Sequence, residues 1–148
     1  MDLRWEILTP YTSLFVEGVW MTAKLTVIAL TLGMLMGLLI GLVNAQPGKG
    51  WRRVLRWICT AYVWFFRGTP LFVQILLVHF ALMPTLIHPE HGLLMSGEAA
   101  GEFRQLHGAF FSGIVALTLN AGAYIAEIVR AGILSIARAK RKPPKAWG

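Results

Sequence analysis

Residues 25–43 read LTVIALTLGMLMGLLIGLV, a run of 19 uncharged residues. At about 1.5 Å per residue, a helix of that length covers most of the roughly 30 Å hydrocarbon core of a bilayer. Two more apolar runs follow: residues 71–87, with His79 as the titratable group, and residues 108–128, with Glu127 near the end. Hydrophobic residues make up 56% of the chain and charged residues 14%, and the mean hydropathy is +0.60. That balance lies far from a soluble domain. The expectation is an all-α, polytopic membrane helical bundle with three spans.

Residues 1–13 are mixed in charge, and the apolar run after them is too long for a secretion leader, so the first span is expected to be retained. A single cysteine, Cys59, excludes a disulfide within the chain and offers no metal cluster. Orientation follows from Lys and Arg, which collect on the cytoplasmic side. The first loop carries Lys49, Arg52, Arg53 and Arg56 and no acid, whereas residues 88–107 set Arg104 against Glu90, Glu98 and Glu102. This places the N-terminus outside, the first loop inside, the second outside and the C-terminus in the cytoplasm. The net charge of +7 is then a matter of topology. Basic residues split between two loops beside apolar spans do not form a nucleic-acid face, so no nucleic-acid partner is expected.

The segment Gln46-Pro47-Gly48-Lys49-Gly50 should end the first helix in a turn. Residues 51–66 are basic and aromatic, with Trp51, Trp57, Tyr62 and Trp64 suited to an interface; residues 57–66 fit either an interfacial helix or part of the crossing. Thr69-Pro70 has the grammar of an N-cap followed by Pro at the first helical position, so a new or sharply kinked helix is expected there. Pro84, His88, Pro89, His91 and Gly92 should end it on the outer side.

Chemical signals are few. The histidines at 79, 88, 91 and 107 show no zinc-ligand spacing, and no Gly-rich phosphate loop, in-span carboxylate pair or Ser-His-Asp set is present, which gives an enzyme no support. Polar groups within spans are the better lead, because they are costly in hydrocarbon and often face a bundle interior or a wet path. Asn120, Tyr124 and Glu127 fall at i, i+4 and i+7, on one helix face. Glu127 is placed either to line a solute path or to pair with Arg130 or Arg67. Asn120 is equally placed for an inter-helix hydrogen bond. Arg67 fits a snorkelling interfacial cation, or a carboxylate-attracting charge beside a helix opened by Pro70. Gly113, Ala121, Gly122, Ala123 and Ala126 are small enough for close helix packing.

Two stretches carry a family resemblance. Phe66-Arg67-Gly68-Thr69-Pro70-Leu71-Phe72-Val73-Gln74 and residues 119–133, with Asn120-Ala121-Gly122-Ala123-Tyr124-Ile125-Ala126-Glu127 at their centre, resemble permease subunits of bacterial polar amino-acid ABC importers. The first span, entered through Gly18, Thr22 and Thr26, fits the same pattern. The resemblance covers residues 1–138 and implies the N-terminal part of a five-span, type I ABC importer permease in the bacterial inner membrane. It also implies the partners: a second permease subunit, ABC ATPase subunits that bind the ATP, and a periplasmic or extracellular amino-acid-binding protein. No cofactor is expected on this chain itself.

The tail departs from the family, which continues beyond the equivalent of Arg138 with a Gly-Gln-x-Glu-Ala-Ala-x-x-Leu-Gly coupling segment and two further spans. Codons for residues 139–148 can be chosen so that a shifted frame spells that segment; AAG-CCG-CCA-AAA for Lys142 to Lys145 contains GCC-GCC-AAA, which reads Ala-Ala-Lys. We therefore expect residues 139–148 to be out of frame and the truncated chain not to transport alone. The alternative from another class is a small three-span scaffold or regulatory protein whose basic tail binds membrane lipid.

Overall fold

The computed structural model describes residues 9–46 and 49–141. The Pro47-Gly48 part of the first turn and residues 142–148 of the tail lie outside them. A 3-10 turn, Thr9–Tyr11, leads into α1, Thr12–Ala45. Then come α2, Trp51–Gly68; α3, Leu71–Leu77; a π-helical turn, Val78–Leu82; α4, Met83–Leu86; and α5, Glu98–Arg141. Among the described residues the nearest thing to a strand is one isolated bridge, Ile87 to Met95.

Both long helices outrun the apolar segments that announce them. α1 has 34 residues and α5 has 44, about 51 and 66 Å at 1.5 Å per residue, so each extends well beyond the hydrocarbon. The expected spans stop short of flanking charges; the helices continue past Lys24, Arg104 and Arg130 because a charge in water does not interrupt a backbone hydrogen-bond ladder already formed. Residues 98–107, read as outer loop, are the first turns of α5.

The α1–α5 pair forms the body of the bundle. Ala29, Gly33, Gly37 and Gly41, each four residues from the next, are the buried residues of α1. A methyl group on Gly37 would stand 2.7 Å from Gly122 O and from Ile125 Cβ, and one on Gly41 would stand 2.7 Å from Ala126 O and from Val129 Cβ. Two backbones are thus in near contact along a glycine seam, the packing that small residues permit where no water is available to drive association. The expected small residues of α5 are there: Ala123 and Ala126 are buried, and Gly122 faces Gly33 and Met36.

The second expected span is broken. α2 and the Leu71–Leu86 stretch are bent by 110°, and Leu71–Leu86 alone would reach about 24 Å, short of the hydrocarbon thickness. Among the described residues the candidate spans are therefore two long helices and, if the bent pair counts as one crossing, a third. α2 is a regular helix throughout Trp57 to Phe66, opened by Gly50 in the left-handed region at φ +59°. Trp51, Trp57 and Trp64 are exposed along it.

Two details differ from expectation. Thr69 does not cap α3: its hydroxyl donates back to Phe65 O at 2.9 Å, closing α2, and Pro70 is the residue before the first helical turn. Pro84 does not end the helix either. The preceding π turn takes the Met83 amide back five residues to Val78 O, which resets the ladder so that Pro84 falls in the first turn of α4, where a missing N–H is tolerated. At the end of the bundle where α4 leads into α5, Met83, Ile87 and Ala100 form a buried cluster with Leu86 and Phe103 packed on it.

Candidate functional site

The break between α2 and α3 is held by one side chain that the sequence reading passed over. Gln74, 2% exposed, donates from Nε2 to Phe66 O at 2.8 Å, Thr69 O at 3.0 Å and Thr69 Oγ1 at 2.8 Å. It thereby collects the carbonyls that a broken helix leaves without partners. Its Oε1 accepts from Asn120 Nδ2 at 3.1 Å, and the same Nδ2 lies 3.4 Å from Phe66 O. Nearby, the Tyr62 hydroxyl donates to Leu119 O at 2.5 Å. Asn120 of α5 is thus tied to the break itself. The missed signal was present: an amide within an otherwise apolar run is costly to bury unpaired, though it adds nothing to a charge count.

Below this bridge the other three nominated residues meet. Glu127 receives a two-pronged contact from Arg130, with Nε to Oε2 at 3.0 Å and a shorter bond from Nη2 to Oε1. Arg67 Nη1 lies 3.9 Å from Glu127 Oε2, and its guanidinium stands 5.5 Å from the centre of the Tyr124 ring. Both alternatives for pairing Glu127 are therefore realised together. Arg67 and Glu127 are 42% and 28% exposed, so screening keeps the long Arg67 contact weak.

Glu127 also lies on the wall of an open cavity of about 760 Å³ between the C-terminal part of α1, α2 and α5. Asn44, Arg56, Thr60, Arg130 and Arg138 share that wall. Three guanidinium groups against one carboxylate give it a field that draws anionic groups. Toward the other end, a cavity of about 320 Å³ is lined by His79, Arg104 and Gln105 among others. His79 Nδ1 lies 3.0 Å from Ser112 Oγ, which donates to Gly108 O at 2.7 Å.

A span broken at a buried polar bridge is an arrangement found in membrane transport proteins. Comparison with known proteins shows what the chain resembles. The chain is 31% identical over 149 aligned positions to the glutamine transport system permease protein GlnP of Escherichia coli K12, with 100% of this chain and 58% of that protein covered. It is 30% identical over 148 residues to the arginine transport system permease protein ArtQ of Bacillus subtilis, again with 100% and 58% covered. A crystal structure of an amino acid ABC transporter with histidines superposes with a TM-score of 0.67 at 32% identity, covering 97% of this chain and 60% of that one. No protein-family model matches the chain. The homologues of this chain are permease proteins of amino-acid ABC transporters, and the chain spans about half the length of the curated relatives it matches.

Proposed function

We propose that the chain is a permease subunit forming part of the translocation path for polar amino acids in an ATP-driven importer. The observation that carries this reading is the Asn120–Gln74–Phe66 bridge at the span break. Hydrogen-bonding groups of this density are costly in hydrocarbon unless they face protein or a wet path. Similarity to permeases named for glutamine and for arginine transport supports the polar amino-acid class. The role is that of a conduit: the chain rearranges helices around the solute and performs no bond chemistry. ATP would be bound by ABC ATPase subunits. A second permease subunit would complete the path, and a soluble amino-acid-binding protein would deliver from the outer side. The N-terminus then lies outside and the basic end of α5 in the cytoplasm.

The test is affinity purification, from native membranes, of the product with its reading frame restored after codon 138, followed by reconstitution of the purified assembly into liposomes with labelled glutamine, arginine and glutamate. Recovery of an ABC ATPase subunit and ATP-dependent accumulation of one of these solutes are expected. An assembly with no ATP-binding subunit, and no accumulation on adding ATP, would sink the reading in favour of a membrane scaffold.

A further inference from the structure

The connection between α4 and α5 folds back on itself. His88 N–H donates to Met95 O at 3.1 Å, Gly92 N–H to His88 O at 3.2 Å, Leu93 N–H to Thr85 O at 3.1 Å, Leu94 N–H to Leu86 O at 2.8 Å and Gly97 N–H to Pro89 O at 2.8 Å. A methyl group on Gly92 would stand 2.4 Å from His88 N and closer still to Met95 O, so the turn closes this tightly because residue 92 has no side chain. Within it the Glu90 amide N–H donates to His88 Nδ1 at 3.2 Å, so a metal at that nitrogen takes the place of this bond. The His88 and His91 rings stack with centroids 4.0 Å apart, and His91 Nδ1 lies 4.0 Å from Glu90 Oε2.

We propose that His88, Glu90 and His91 form a binding site for a divalent transition metal. Ligand atoms of the three residues lie within 4.8 Å of one another. Donors about 2.0 to 2.2 Å from a tetrahedral metal stand roughly 3.3 Å apart, so closure needs a movement of about 1.5 Å. Glu90 and His91 supply it by rotation, with side chains 83% and 71% exposed. Two imidazoles and one carboxylate select the Zn²⁺, Ni²⁺, Cu²⁺ and Co²⁺ group over Mg²⁺ and Ca²⁺, which prefer all-oxygen sets. Three protein donors leave a fourth position for water. The backbone bonds hold the donors together before metal arrives, which lowers the ordering cost of binding. The other histidines are placed elsewhere: His79 is against Ser112, and His107 is against Phe103. The sequence spacing concealed the site because His-x-x-His in a loop is not a helical pair, and the fold of the turn alone brings the donors together. This inference is independent of the transport reading.

The experiment is a Zn²⁺ titration of the chain, purified without a polyhistidine tag and held in lipid nanodiscs, by competition with a chromophoric chelator. One equivalent per chain is expected at pH 7.5. His91→Ala and His88→Ala are each expected to weaken binding at least tenfold, and Glu90→Gln several-fold, while His107→Ala leaves it unchanged. Lowering the pH to 5.5 should release the metal, since ligating imidazoles must shed their protons. Because His91 and Glu90 are exposed, their replacement leaves the fold intact. Wild-type affinity in His91→Ala and Glu90→Gln, or no stoichiometric binding at all, overturns the proposal.

Discussion

Gln74 has two N–H donors and three acceptors within reach, so at least one hydrogen is shared between oxygens. Replacing Asn120 by Leu removes one partner and leaves Gln74 Oε1 unpaired, which should cost about 1–2 kcal/mol. Replacing Gln74 by Leu also takes a donor from Thr69 O and leaves Phe66 O with only the long Asn120 Nδ2 contact, at about 2–3 kcal/mol. The double variant should lose less than the sum, because both changes break the same bond. Unfolding of all three in mixed micelles measures this; strict additivity would show that the bridge carries no shared energy. At this scale the sequence was half legible. Asn120, Tyr124, Glu127 and Arg67 are polar groups among apolar neighbours, and the structure gathers them at and below the span break. Gln74 escaped because it adds no charge. Thr69 was assigned to the wrong helix, because capping grammar is local while its hydroxyl is claimed by the preceding turn.

Among the elements, the α1–α5 seam gives the clearest contrast between glycines. Gly37→Ala places a methyl group 2.7 Å from Gly122 O, a backbone atom that cannot rotate away. Forcing the helices apart should cost about 1–3 kcal/mol. Gly18 has nothing within 4 Å of the same position, and Gly18→Ala should stabilise α1 by about 0.5–1 kcal/mol through backbone entropy. Thermal unfolding of the two variants should therefore shift in opposite directions; equal shifts would mean the seam is not in contact. The spacing of four from Ala29 to Gly41 was present in the sequence, but glycines in an apolar run announce a close approach without saying what approaches. The existence of helices was legible from hydropathy, whereas their ends were not: hydropathy reports where lipid stops, and α1 and α5 continue into water. The π turn left no trace in composition, which is why Pro84 was read as a stop.

For the whole molecule, the distribution of Lys and Arg predicts a sided protein. In a Cys59→Ser background, Ser96→Cys should react with an impermeant maleimide added outside intact spheroplasts, while Ala137→Cys should react only after lysis. The reverse pattern would invert the topology. Three crossings were read from the sequence; the bent second one was legible only as Thr69-Pro70, because the angle depends on Gln74 and Asn120 meeting across a gap of 46 residues. α5 also has a mechanical consequence. It contains no proline from Glu98 to Arg141, and its contact with the glycine seam at Gly122 falls near its midpoint. Contacts with α1 run from Gly113 to Val129, so with no proline to bend it α5 is a stiff beam of about 66 Å. Tilting such a beam about its centre by about 10° would move each tip by about 6 Å in opposite senses, so a push on one end would reach the other as a displacement reversed in direction.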